Sequence, residues 1–111
     1  MLTEQPILIT SIQCKEPGGV VKKRFIRFDG TYGIEGVKSL GIVNADTNQN
    51  EYAPVTVKGI ALIEAGGPIT MGSGIETFDD GTAAPLTTGT LEGYAMDTAS
   101  AAGQIIRILL S

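Results

Sequence analysis

Apolar positions along this chain come in short runs, and Gly, Pro, Asn or Asp break almost every one of them. That punctuation predicts strands joined by turns rather than helices. Ile7 to Gln13 reads as a first strand, closed by Glu16-Pro17-Gly18-Gly19. A second is expected over Val20 to Phe28, clearest from Arg24 to Phe28, and a third over Leu40 to Val43. Pro54 to Glu64 is the longest. There Val55 and Val57 should face inward, Gly59 should mark a bulge, and Ile60 and Leu62 should then take over the apolar face. Ile75 to Phe78, Ala84 to Thr87 and Leu91 to Met96 are short strands. Gln104 to Leu110 closes the series, with Ile106, Ile108 and Leu110 inward and Arg107 outward. One helical turn could fit at Asp97-Thr98-Ala99-Ser100-Ala101-Ala102-Gly103, with Asp97 as N-cap and Gly103 as the terminating glycine.

The turn residues also repeat. Gly18-Gly19, Phe28-Asp29-Gly30-Thr31, Gly41-Ile42, Asp46-Thr47 and Val55-x-Val57 are echoed in order. The echo is Gly66-Gly67, Phe78-Asp79-Asp80-Gly81-Thr82, Gly93-Tyr94, Asp97-Thr98 and Ile106-x-Ile108. The expected fold class is therefore mainly β: one small β-barrel or β-sandwich (tulip-like) domain with an internal two-fold repeat. The pseudo-repeats fall at about 18–64 and 66–110 inside a single domain of 7–111. Residues 1–6 precede it as an extended arm, with Pro6 expected to end strand pairing.

Composition narrows the chemistry. There are 111 residues, which suits one domain, and no His and a single Cys. Without His, a Ser-His-Asp or Cys-His site cannot be assembled, and zinc lacks its usual ligands. Cys14 reads as a half-buried strand residue and cannot form an internal disulfide. Asp79-Asp80 precede Gly81 as turn residues do, so they are poor candidates for acid–base work. Asn44, Asp46, Asn48 and Asn50 alternate like a calcium loop, but Gln49 replaces the required glycine and Val55 the bidentate acid. The Gly66–Gly74 stretch lacks the Gly-Lys-Ser/Thr ending of a phosphate loop. No catalytic, cofactor-binding or metal residues are nominated; the expectation is a non-enzyme without cofactor.

Net charge is −4, which argues against nucleic acid as the main partner. Lys22-Lys23-Arg24 with Phe25 and Phe28 could suggest a stacking platform, but the two rings fall on opposite faces of a strand. No apolar run is long enough for a membrane span, and the start, Met1-Leu2-Thr3-Glu4, does not read as a signal peptide. The charges are unevenly placed. Lys15, Lys22, Lys23, Arg24 and Arg27 gather early, whereas beyond Gly59 only Arg107 is basic. Such asymmetry suits head-to-tail packing or docking on a charged lattice.

Several stretches resemble the bacteriophage head-decoration (capsid cement or stabilisation) proteins. They are Gly59-Ile60-Ala61-Leu62, Ile69-Thr70-Met71-Gly72 and Ile75-Glu76-Thr77-Phe78-Asp79-Asp80-Gly81, then Gly93-Tyr94-Ala95 with the alanine-rich turn, and Gln104 to Leu110. The first-half element from Gly41 to Val57 is similar, giving coverage of about 18–110. The Lys22-Lys23-Arg24 strand departs from the family's usual small-Gly pair. The resemblance implies a virion structural protein, made in the host cytoplasm and placed on the outer surface of an expanded head. Its partner would be the major capsid protein, whose neighbouring subunits it would bridge. It would work as a homo-oligomer, a trimer in preference to a dimer. Leu2, Thr3, Glu4, Gln5, Pro6, Ile7 and Leu8 are the expected contacts to capsid or neighbour, and Lys22, Lys23, Arg24 and Arg27 a charged docking surface. Other phage tail or virion β modules, and small-molecule-binding β-barrels, are the alternatives.

Overall fold

The structure is a computed structural model and describes residues 4–110. It contains eight strands and, among the described residues, no helix. They are β1 (Gln5–Gln13), β2 (Phe25–Ile26), β3 (Gly41–Val43), β4 (Tyr52–Glu64), β5 (Gly74–Thr77), β6 (Ala83–Pro85), β7 (Gly93–Ala95) and β8 (Ile105–Leu110). They form one sheet in the order β2-β3-β4-β8-β7-β5-β6, with β1 added on β4, and every ladder is antiparallel. The sheet nearly closes into a barrel. Its two ends approach where the Phe25 N–H donates to the Gly81 carbonyl at 2.8 Å.

The internal repeat is written in the backbone hydrogen bonds. On β4, Val55 sits between Thr10 and Val43; on β8, Ile108 sits between Ala61 and Ala95. Cys14 N–H donates to Glu51 O at 2.7 Å, and Ala65 N–H to Gln104 O at 2.8 Å. The bridge Val20–Thr47 is matched by Ile69–Ala99. Asp29 Oδ1 accepts from the Thr31 N–H and hydroxyl at 3.1 and 2.6 Å, and Asp80 Oδ1 accepts from Thr82 at the same two distances. These pairs set the units at about 9–57 and 60–110. They start earlier than the turn motifs suggest, because the first unit opens inside β1. Thus β4 belongs to both units: its first half ends one and its second half begins the next.

Several local readings are corrected. Of Val20 to Phe28 only Phe25–Ile26 is strand, since Lys23 adopts a left-handed conformation (φ 66°) that breaks extended backbone. Along β4 the odd positions face inward throughout: Ala53, Val55, Ala61 and Ile63 are fully buried, whereas Ile60 and Leu62 are half-buried. Gly59 (φ 99°) bends the strand without exchanging its faces. A Cβ there would lie 2.5 Å from the Gln5 carbonyl oxygen, so no side chain fits. Pro6 does not end pairing; it lies opposite Gly59, next to a register shift where a missing N–H is tolerated. Cys14 is fully buried just past β1.

The alanine-rich segment is no helix either. Ala99 bridges Ile69 there, and Asp97 is committed elsewhere. Its carboxylate accepts from Arg107 N–H, Nε and Nη2 at 3.0, 3.0 and 2.9 Å, tying the turn after β7 to β8. Those bonds from Arg107 hold the Asp97 pKa well below the usual 3.8, at about 2.

Phe25, Ile26, Ile42, Ile63, Ile75, Ile106 and Ile108 are the largest buried apolar side chains. Each contributes roughly 1.5–3 kcal/mol by leaving water. They fall into two clusters. The smaller is Cys14, Val20, Ile26, Val43, Ala53 and Val55, all from the first unit. The larger comes from the second unit, apart from Phe25 and Ile42, which reach into it from the first.

Two predictions follow from this geometry. Lys23 and Asn50 are the two non-glycine residues with positive φ among the described residues, and the repeat puts Gly72 and Gly103 at their counterparts. Lys23→Gly should raise stability by up to about 1 kcal/mol, by removing the left-handed penalty of a side chain; Gly72→Lys should lower it. Urea unfolding of both variants checks this. For the clasp, the Asp97 pKa is lower in the folded state than in the unfolded chain. Its stabilisation is therefore complete above about pH 4 and fades as pH falls towards 2. Asp97→Asn should cost about 1–2 kcal/mol at pH 7 after solvent screening. In chemical denaturation at stepped pH the gap to wild type should close between pH 4 and 2.

Candidate functional site

Leu2 and Thr3 lie outside the described residues. Glu4, Gln5, Pro6, Ile7 and Leu8 are all exposed, the last four on β1. Ile7 is 83% exposed, Leu8 51% and Ile9 50%. Three consecutive branched apolar residues in solvent are unusual for a strand with one edge paired, because edge strands are commonly blunted by charge. Their exposure has a local cause. The ladder to β4 slips at Pro6/Leu8 and again at Leu8/Ile9, so Ile7 is left out of register over Gly59. β1 pairs only with β4, and among the described residues no strand occupies its other edge. A free row of backbone donors and acceptors thus runs beside a strip of apolar side chains.

The basic residues behave differently from one another. Arg24 Nη2 meets Glu64 Oε2 at 3.4 Å, Nη1 reaches the Asp80 carbonyl at 3.3 Å, and the guanidinium lies 5.6 Å from the centre of the Tyr32 ring. Arg27 Nε donates to Tyr32 O at 2.9 Å, and its Nη1 lies 3.6 Å from Asp29. Both arginines are therefore spent on the fold. Lys22 is exposed, its N–H donating to Asp46 Oδ1 at 2.9 Å, and neither Lys22 nor Lys23 has an ion-pair partner among the described residues. Phe25 is buried and Phe28 is 66% exposed, so the two rings form no platform.

The remaining polar groups also hold structure together. The Thr31 hydroxyl lowers the Asp29 pKa. Partial burial pushes the Asp80 pKa up, but the Thr82 hydrogen bonds and Arg24 outweigh it and leave it lowered. Glu92, almost fully buried, accepts from Lys38 Nζ at 3.0 Å and Ser39 N–H at 2.9 Å. Glu76 accepts from the Thr87 hydroxyl and Gly89 N–H, at 3.1 and 2.7 Å. These contacts pin the 33–39 and 86–92 loops, and sequence reading had not singled them out, because their partners lie up to 54 positions away. A shallow concavity of about 550 Å³ lies between Glu64, Phe78, Asp79 and Gly103. Among the described residues no group of three or more His, Cys, Asp or Glu side chains could hold a metal ion, and no helix could cross a membrane.

The fold has close likenesses. A solved structure described as the head fiber gp8.5 N base in bacteriophage phi29 superposes with a TM-score of 0.74. It is 22% identical, and the match covers 94% of this chain and 95% of that one. Among curated proteins nothing matches. The family model described as phage cement protein matches residues 5–110, nearly the whole span from β1 through β8. The chain belongs to the phage cement protein family, and is a structural protein of the phage head.

Proposed function

We propose that this protein binds the outer surface of an expanded phage head and bridges neighbouring major capsid subunits. The observation that carries the reading is the apolar edge strand, Ile7-Leu8-Ile9, three consecutive branched side chains exposed beside an unpaired strand edge. An unpaired strand edge can take up an extended segment from another chain: backbone bonds supply affinity and flanking side chains supply register. Residues 2–8 are the contact segment in this reading, and Lys22 and Lys23 offer a separate patch of positive charge to the lattice. Copies associate as a trimer at local three-fold points, in preference to a dimer. Many modest contacts repeated over a lattice stiffen it without any single strong one.

The test is Ile7→Asp combined with Leu8→Asp. Both side chains are exposed, so folding should be kept, with a melting temperature close to wild type. Occupancy on expanded heads, read by co-sedimentation and gel densitometry, should fall at least tenfold, and unexpanded heads should bind neither form. Undiminished occupancy of the variant would sink the assignment of the contact segment. Binding of the wild type to isolated tails instead of heads would favour another virion module.

A further inference from the structure

The shallow concavity at the end of β4 has a counterpart in the first unit, and the two are built differently. Asn50 N–H donates to Cys14 O at 2.7 Å, and Gly103 N–H to Ala65 O at 2.8 Å. Gln13 therefore corresponds to Glu64, Lys15 to Gly66 and Asn50 to Gly103. In the first unit the Gln13 side chain bridges strand end and turn, its Nε2 donating to the Asn50 carbonyl at 3.0 Å. Glu64 cannot repeat that bridge, because a carboxylate has no proton to donate, and it meets Arg24 Nη2 at 3.4 Å instead. Two side chains are lost as well, at Gly66 and Gly103. What remains is the concavity of about 550 Å³, lined by Phe78 and by three carboxylates, Glu64, Asp79 and Asp80. The Phe78 ring lies against the bare Gly66 backbone, where a Cβ would collide with it, and is still 40% exposed.

We infer that this concavity is a docking socket for an arginine side chain presented by a different protein. Charge and shape both select that occupant. Neither Asp79 nor Asp80 has an ion-pair partner among the described residues, and residues 60–110 carry six acidic side chains against one basic. A cation is therefore favoured there. A metal ion is not, since among the described residues no three acidic side chains could hold one. A planar guanidinium suits the wider spacing: it lies over the exposed ring face and turns its N–H groups to the carboxylates around it. A compact ammonium lacks both the flat face and the fork of donors. The concavity is shallow, so a side chain can enter while its backbone stays outside. Another copy of this chain cannot supply the group, because all three of its arginines are paired within the fold. The inference does not rest on the proposed function. The Ile7–Ile9 strip is no part of the concavity, and the test below uses no heads, so either can fail alone.

Titration of the isotope-labelled protein with the blocked pentapeptide Gly-Gly-Arg-Gly-Gly, followed by amide chemical shifts, tests it. Lysine and citrulline analogues are the controls; citrulline keeps the shape of the arginine side chain without its charge. The arginine peptide should bind with a millimolar dissociation constant, as befits one exposed site, and shift Gly66, Phe78, Asp79 and Gly103 most. The lysine peptide should bind at least threefold more weakly, and the citrulline peptide should not bind. Asp79→Asn keeps the oxygen that accepts from Glu35 N–H at 3.1 Å, so the fold should hold. Phe78→Leu keeps bulk against Gly66 but removes the ring face. Each variant should weaken binding of the arginine peptide at least threefold. Should Phe78→Leu perturb folding, Asp79→Asn alone decides. Four results would each overturn the inference: no shifts with the arginine peptide, shifts spread over the surface without a focus at these four residues, equal binding of the lysine or citrulline peptide, or a folded variant that binds as wild type does.

Discussion

Everything in this fold hangs on one strand. β4 pairs with β1 along one edge, and along the other it holds β3 at its first half and β8 at its second. It is the last strand of one repeat unit and the first of the next. The constraint that permits this sits at Gly59, where the chain turns from one ladder to the other against the backbone of Gln5 and Ile7. A side chain there would drive β1 off the barrel. The slip that leaves Ile7 out of register is the other side of that close approach, so the junction of the repeat and the exposed apolar strip share one cause.

The polar chemistry serves the same end. Short local motifs, such as the twin Asp-Gly-Thr turns, shape hairpins within each unit. Long-range ion pairs then lock segments together: Arg107 to Asp97, Lys38 to Glu92 and Arg24 to Glu64. All three arginines are committed to such pairs within the fold.

Much of this was legible in the sequence where physics is local. Ile106 and Ile108 alternate cleanly, and both are buried as expected. Turn residues recur in order where each unit builds the same turn, as at Asp29-Gly30-Thr31 and Asp80-Gly81-Thr82 with a left-handed glycine in each, so the repeat could be read before its boundaries could. The inward face of β4 beyond Gly59 was misread, because a bent strand that keeps its faces and a bulge that swaps them look alike in sequence. Ala-rich 97–103 has helix composition, but Asp97 finds a better partner in Arg107 than in a helix N-terminus. At the candidate site, the N-terminal segment could be singled out from its position before the core, but its pairing to β4 and its apolar exposure could not. Nor could Arg24 and Arg27 be told from free surface charge, since Glu64 and Asp80 are brought to Arg24 only by barrel closure.

Hydrogen–deuterium exchange on the protein, free and bound to expanded heads, tests the central claim most directly. In the free protein, β1 amides facing the unpaired edge should exchange fast while those of β4 and β8 stay protected. On heads, protection should rise first at residues 5–9 and leave the barrel interior unchanged. Protection that appears elsewhere on the surface while 5–9 exchange as before would contradict the account.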